Sequence, residues 1–386
     1  MAITVFNPND LCFAGNPIIV KAKTDKVLGE LESFLRIEFN GYVSIGSHGS
    51  IPSYPVELSQ PVENEGTAVF NLSDSVSAMI LRAQSMIDAN DDSPSSESSW
   101  HTPVLVTCLY RCQEVWISDN QEVRGNEMPE GYRFTVVPGK LTDYELLTMD
   151  SIDLTTLKRE KPMTRKPDLG IIYGGETIIM PVISDGNTPA RHLGINYEGG
   201  DRNYINCRFL KDGLGYAFGQ TNGGTDGKIT FELSYEEYDS SKFTLSGYYR
   251  TNTHGVHFLR FINGFGAVEN ISVRSKDKLS YEVSGETHSL VQGATTRPTD
   301  RRYATKSQPA GVYELSSGYV PKQWAEWYVQ ELLTSPRVWI QLGGKWVPAL
   351  IEAEDDCVIY DRTKPEMPHV DFTLRLAIDG VTGCTW

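Results

Sequence analysis

The chain has 386 residues, a length that gives room for two or three domains, each with a sizeable core. Hydrophobic residues make up 40% and charged residues 22%, which is ordinary for a globular protein, and no apolar run reaches the roughly 18–20 residues that cross a bilayer. The net charge of −15 argues against nucleic acid as a partner, because phosphate binding requires basic patches. The N-terminal sequence MAITVFNPND has no basic region followed by an apolar core, so we expect no signal peptide and synthesis in a cytoplasm.

Short strands dominate the first part of the chain. Residues 34–39 and 67–72 are short apolar runs with the alternation of half-buried strands. A helix is predicted over about 74–88, because Ser73-Asp74 can cap it and its apolar residues share one face. The acidic, low-complexity segment 88–100 predicts a surface loop, with partner binding as the minor alternative. We therefore predict that residues 1–145 form a β-sandwich with an inserted helix.

The composition changes over residues 146–169, a charged segment broken by prolines that predicts a linker. Its basic side chains are typical of a solvated segment: Lys158, Arg159, Lys161, Arg165 and Lys166. Residues 170–292 carry short strands about ten residues apart with turn signals between them, which predicts a second β-rich domain.

The remaining residues, 293–386, begin with a polar segment over 293–311. A helix is predicted over 321–335, because Pro321 suits its first turn and Pro336 ends it. The helix leads into a β-meander that we expect to pack on the second domain. The predicted fold class is mainly β, with two β-sandwich-like domains, a few short helices and a C-terminal helix plus β-meander.

No group of residues in the sequence indicates catalysis. His254 and His257 lie three apart on an extended segment, so they point to opposite faces and cannot share an ion. Cys108 and Cys112 share a face of a predicted strand at a separation of about 13 Å, too far for a disulfide. Phosphate-binding loops and the serine-hydrolase elbow are also missing from the sequence. We therefore expect that the protein is not an enzyme and binds neither a metal nor a cofactor. A glycosidase-type enzyme remains as a third hypothesis, which would need two carboxylates paired across a cleft.

Three aromatic residues of the predicted C-terminal helix are candidates for a protein interface: Trp324, Trp327 and Tyr328. They follow each other at helical spacing, and large aromatic side chains are common anchors of interfaces. The alternative is that they cover the adjacent meander within their own domain, as most large apolar side chains do.

Three segments carry a resemblance: FAGNPI (Phe13 to Ile18), LRFINGFGAVENISV, and WAEWYVQELLTSPRVWIQLGGKWVPALI. They are similar to tail structural proteins of phages and prophages of gut bacteria, of the distal-tail or baseplate-hub type. In that pattern a strand ends at Asn263-Gly264, Gly266 turns the chain, and Glu269 starts the next strand.

The resemblance implies a non-enzymatic virion structural protein, a ring or adaptor subunit of the distal tail or baseplate. Its expected partners are further copies in a homo-oligomeric ring and other tail or baseplate proteins, with host-surface glycan reached through associated parts and no membrane insertion. The segments 88–100 and 293–311 could become ordered on assembly. The alternative function is a receptor- or carbohydrate-binding module, which would present an exposed row of aromatic side chains.

Overall fold

The computed structural model of the protein describes residues 3–6, 8, 11–24, 33–44, 50–52, 55–62, 66–84, 105–128, 131–148, 162–184, 192–197, 202–206, 213–221, 225–234, 242–282, 285–289, 302–306, 310–353 and 367–377. The predicted loop 88–100, most of the polar segment 293–311, and Lys158, Arg159 and Lys161 lie outside these ranges. Within them the chain is mainly β, with several sheets and few short helices, so the predicted fold class is confirmed. No helix in these ranges is long and apolar enough to span a membrane.

The N-terminal unit contains two sheets and one long helix among its described residues. Its elements are β1 (Thr4–Phe6), β2 (Leu11–Phe13), β3 (Ile19–Lys23), β4 (Ser33–Ser44), β5 (Ser50–Pro52), β6 (Val56–Pro61), β7 (Thr67–Asn71), α1 (Ser73–Gln84), β8 (Leu105–Ser118), β9 (Gln121–Glu127) and β10 (Tyr132–Val137). One sheet has the order β1-β3-β7, and the other has the order β2-β10-β8-β4-β5, with β6 on β4 and β9 on β8.

Alternating side chains of the long strands build the core of this unit. Leu35, Ile37 and Phe39 of β4 are fully buried, as the period of two predicts. Val76 and Ile80 lie one helical turn apart on α1 and join the same core. A short helix, α2 (Asp143–Thr148), follows the unit.

The described part of the middle unit has seven strands: β11 (Gly170–Tyr173), β12 (Thr177–Ser184), β13 (His192–Tyr197), β14 (Arg202–Asn206), β15 (Gly213–Gln220), β16 (Gly227–Ser234) and β17 (Lys242–Arg250). Five of them form a sheet of order β11-β17-β16-β13-β14, and β12 pairs with β15. The inner face of the larger sheet packs with β12 in a small core that includes Ile229, Phe231 and Met180.

The C-terminal unit is a closed barrel. Its elements are β18 (Val256–Ile262), β19 (Val268–Glu282), β20 (Gly285–Ser289), β21 (Arg302–Lys306), β22 (Ala310–Ser316), α3 (Lys322–Trp327) with a π-helical continuation (Tyr328–Leu332), β23 (Val338–Leu342), β24 (Lys345–Ala353) and β25 (Asp371–Leu376). Six strands close in the order β18-β19-β22-β25-β24-β23, all antiparallel, while β20 and β21 form a separate hairpin. The barrel therefore takes two strands from the region predicted as the second domain, 170–292, and four from 293–386.

The helix that follows Pro321 packs one face against the core of this barrel and leaves the other exposed, as at Lys322 and Glu326. Side chains of α3 and its π-helical continuation share one apolar core with Phe261, Ile271 and Leu374 of the barrel strands. A helix that packs in this way is amphipathic, and its apolar face carries the aromatic side chains.

Candidate functional site

The turn between β18 and β19 is organised by one asparagine. Asn263 Oδ1 accepts the backbone N–H groups of Phe265 at 3.0 Å and Ala267 at 2.9 Å. Its Nδ2 donates to the carbonyl oxygen of Met163 at 2.8 Å and to Glu269 Oε1 at 3.1 Å. All four hydrogen-bonding positions of the buried amide have partners, so a change here would leave several buried groups unsatisfied.

This turn lies against the backbone of the N-terminal unit. Gly266 has a φ of 74°, and a Cβ placed on it would lie 2.4 Å from the carbonyl carbon of Pro138. Gly139 has a φ of 115°, and its Cβ would lie 2.2 Å from the carbonyl carbon of Phe265. Only glycine at both positions allows this approach. The N–H of Lys140 then donates to the carbonyl oxygen of Gly264 at 2.7 Å, which closes the contact.

The segment after β2 holds the other side of this contact in place. Asn16 donates from Nδ2 to the carbonyl oxygen of Leu141 at 3.0 Å and accepts its N–H at 2.8 Å. The N–H of Gly15 donates to the carbonyl oxygen of Gly139 at 2.7 Å. Phe13 also reaches the turn, with its ring centroid 6.1 Å from that of Phe265. The FAGN segment therefore positions residues 137–141 for docking of the turn at 263–267.

Arg165 lies at the centre of the polar part of this contact. Its guanidinium forms a two-point pair with the Glu145 carboxylate, at 2.8 and 2.7 Å, and a third bond to Glu331 Oε1 at 2.6 Å. The cation also lies 4.0 Å from the ring centroid of Phe265. Glu331 is buried, and its second oxygen accepts the N–H of Gly264 at 2.5 Å. Arg165 therefore connects α2, which follows the N-terminal unit, to the helix that packs on the barrel core.

These pairs also determine how the groups titrate. Burial opposes the charge of Arg165, but the hydrogen bonds from Glu145 and Glu331 outweigh it and hold its pKa above the ordinary value. Burial likewise opposes the charge of Glu145, yet its bonds to Arg165 and to the N–H of Thr142 lower its pKa.

A second set of buried polar groups surrounds Lys166. The Lys166 ammonium donates to the carbonyl oxygen of Asn270 at 3.1 Å and lies 3.8 Å from Glu176 Oε1. The other oxygen of Glu176 accepts the hydroxyl of Ser272 and the N–H of Tyr173, the latter at 3.3 Å. The segment 162–168 is therefore bonded to the middle unit and the barrel as well as to the N-terminal unit.

We call all of these contacts together the junction. It consists of residues 13–16, 137–145, 162–168, 263–269, Tyr173, Glu176, Asn270, Ser272 and Glu331.

Two carboxyl groups of the junction have raised pKa values. Burial raises the pKa of Glu176, although the nearby Lys166 ammonium acts in the opposite direction. Burial raises the pKa of Glu269 to about 7, again against the attraction of Lys166. A carboxyl group with such a pKa is a candidate general acid or base. However, both side chains are 1% exposed, so a substrate could not reach them in this fold, and they act as polar core.

The described ranges contain no group of three or more His, Cys, Asp or Glu side chains placed to hold a metal ion.

The candidate interface residues are buried where the helix packs on the barrel core. Trp324, Trp327 and Tyr328 are 5%, 3% and 3% exposed, and the two indole rings lie 5.3 Å apart. Trp324 Nε1 donates to the carbonyl oxygen of Asp168 at 2.7 Å, which ties the helix to the junction segment. Their position fits the alternative drawn from the sequence, in which these aromatic side chains cover their own domain. At this burial they offer no surface to a partner.

The junction includes two residues that the sequence placed in a solvated linker. The side chains of Arg165 and Lys166 are 19% and 8% exposed, so that expectation was wrong for these two. A run of charges has the same composition whether it is solvated or paired with buried carboxylates. The only signal nearby is Met163, an apolar residue in the charged segment, which is 1% exposed.

Comparisons with known proteins add little to this geometry. No protein-family model and no curated protein matches the chain. A solved structure, trypsin-activated alpha-2-macroglobulin from Escherichia coli, is 10% identical, with 98% of this chain and 22% of that chain covered and a TM-score of 0.20. This chain spans a minor part of the length of that protein. A TM-score this low carries no argument about fold or function.

Proposed function

We propose that the chain is a non-enzymatic structural subunit of a phage tail, serving as a ring or adaptor in the distal tail or baseplate. The observation that carries the proposal is the convergence of the three segments on which the resemblance rests. FAGNPI, FINGFGAVE and the helix that contains Glu331 are far apart in sequence, yet all three contribute to the junction.

The character of the junction supports a structural role. Its contacts are made by glycine backbone, an asparagine with all its hydrogen bonds formed, and a bidentate ion pair, each of which fixes a specific geometry. A subunit placed between a tail tube and host-contacting parts must keep its units in one arrangement. The carboxyl groups of Glu176 and Glu269 are buried, so they are not accessible for catalysis.

The test uses the purified protein and the particles from which it would come. We expect antibodies or a gold-labelled tag on the chain to decorate one end of the tail in electron micrographs. We also expect the protein to co-purify with another tail component after mild detergent disruption. Unlabelled, fully assembled particles would contradict the proposal, as would a protein that stays monomeric at high concentration and co-purifies with no tail component.

A further inference from the structure

Lys166 and Glu176 form a buried pair that differs from an ordinary salt bridge. Their side chains are 8% and 1% exposed, and Lys166 Nζ lies 3.8 Å from Glu176 Oε1. A salt bridge normally lowers the pKa of its carboxyl group, but here burial outweighs the ammonium and raises the pKa of Glu176. The carboxyl group is therefore favoured in its protonated form, which is the form that can react with an amine. No outside substrate needs to reach it, because the lysine is already in place.

The far oxygen of Glu176 is held as the carbonyl oxygen of a reacting carboxyl group would be. Oε2 accepts the N–H of Tyr173 at 3.3 Å and the hydroxyl of Ser272. Donors in this position stabilise the negative charge that develops on an oxygen when a nucleophile adds to the carboxyl carbon. Oε1, which faces Lys166, is the oxygen that can leave.

The surroundings of the lysine supply a proton acceptor and limit the access of water. Nζ lies 5.9 Å from the ring centroids of both Trp324 and Trp327, which are themselves buried. The Lys166 ammonium also acts on Glu269, whose pKa burial raises to about 7. At neutral pH the Glu269 carboxylate can therefore take a proton from the ammonium, and the uncharged amine that results is a nucleophile.

We propose that Lys166 and Glu176 become joined by a covalent amide bond, formed within the folded chain. The ammonium first gives one proton to the Glu269 carboxylate. The amine nitrogen then adds to Cδ of the protonated Glu176 carboxyl group, and Oε2 carries the developing negative charge. The bond from Cδ to Oε1 breaks, and Oε1 leaves as water with its own proton and one from the nitrogen. The products are one amide and one water molecule, and nothing is oxidised or reduced.

The bond fixes the segment 162–168 to the turn between β11 and β12. A cross-link of this kind restricts the unfolded chain, as a disulfide does, and so stabilises the junction. The contacts described above are those of the chain before the bond forms. Loss of the Lys166 cation removes an attraction that opposes burial at Glu269, so the direction of the pKa shift of Glu269 stays the same. The proposal does not depend on the tail assignment.

Mass spectrometry of the full chain, denatured and digested with trypsin, tests the proposal. Trypsin does not cleave before proline, so Lys166 and Glu176 fall in one peptide over residues 166–191. We expect this peptide to be lighter than its sequence by one water molecule. A chymotryptic cut after Tyr173 should leave the two halves joined, whereas water lost at Asp185-Gly186 would let them separate.

Two substitutions locate the reacting amine. Lys166→Arg keeps the cation but has no reactive amine, so its peptide should have the full mass of its sequence. The matched control is Lys322→Arg, in a pair whose Nζ lies 3.4 Å from Glu326 but whose side chains are exposed to water. This control should keep the loss of water in the peptide over residues 166–191.

The wild-type protein alone can overturn the proposal, whether or not the variants fold. A wild-type peptide with the full mass of its sequence does so, and so do two halves that separate after the cut at Tyr173. A loss of water that persists in Lys166→Arg also overturns it. Failure of the tail proposal has a separate readout, because unlabelled particles leave these masses unaffected.

Discussion

Replacing Glu269 by glutamine should change how the stability of the protein depends on pH. The folded pKa of Glu269 is about 7, against an ordinary value of 4.5. Between these values the folded state keeps a proton that the unfolded state has released. Stability therefore falls as pH rises through this window and becomes level above it. A difference of about 2.5 between the two pKa values corresponds to about 3 kcal/mol.

Glutamine removes this titration and keeps the neighbouring hydrogen bond, since its side-chain oxygen can still accept Asn263 Nδ2. We expect Glu269→Gln to match the wild-type free energy of unfolding near pH 5 and to exceed it by up to about 3 kcal/mol near pH 8. Urea denaturation followed by tryptophan fluorescence measures this, because Trp324 and Trp327 lie in the barrel core. A matched control, Glu57→Gln on the exposed β6, should change stability by less than about 0.5 kcal/mol at either pH.

Two outcomes would refute the reasoning about Glu269. If the wild-type and Glu269→Gln curves run parallel from about pH 5 to about pH 8, the carboxyl group does not titrate in this window. If the variant is less stable than wild type near pH 8, the ionised carboxylate stabilises the junction and burial is not the dominant effect.

Two further substitutions test the backbone contact and the ion pairs of the junction. Gly266→Ala should lose about 1–3 kcal/mol more stability than the control Gly318→Ala. Both glycines have positive φ, but only Gly266 would place a Cβ against Pro138. Equal losses of stability in thermal denaturation would show that the close approach does not matter. Arg165→Met should cost about 3–5 kcal/mol, since it leaves Glu331 buried without its cation. Arg165→Lys should recover only part of that loss in the same denaturation assay, because lysine cannot form the forked pair; full recovery would mean that charge alone is sufficient.

The turn at 263–269 shows what local sequence can predict. Asn263-Gly264 and Gly266 indicated a strand, a turn and a new strand, and the structure has β18 end at Ile262 and β19 begin at Val268. Turn chemistry depends on neighbouring residues, so it is visible in a short segment. What the turn packs against was not visible, because Pro138 and Gly139 are more than 120 residues away.

The helix after Pro321 shows the complementary limit. Helical spacing placed Trp324, Trp327 and Tyr328 on a helix, where the structure also has them. Spacing gives the relation of side chains within one helix and says nothing about what faces them. Their burial depends on the core that they pack against, which is built from strands such as β18 and β23, whose paired residues are about 80 positions apart.

The charge balance of the junction explains why titration near neutral pH arises there. Arg165 is paired with Glu145 and Glu331, two carboxylates from two different units. The Lys166 ammonium acts on two buried carboxyl groups, Glu176 and Glu269, and the pKa of each is raised by burial. One cation cannot compensate the desolvation of two carboxylates, so the lowest free energy is reached when a carboxyl group keeps its proton. The segment 162–168 therefore connects the three units, but it supplies too little positive charge for all the carboxylates that meet it. The pH dependence expected for Glu269 is a consequence of that shortage.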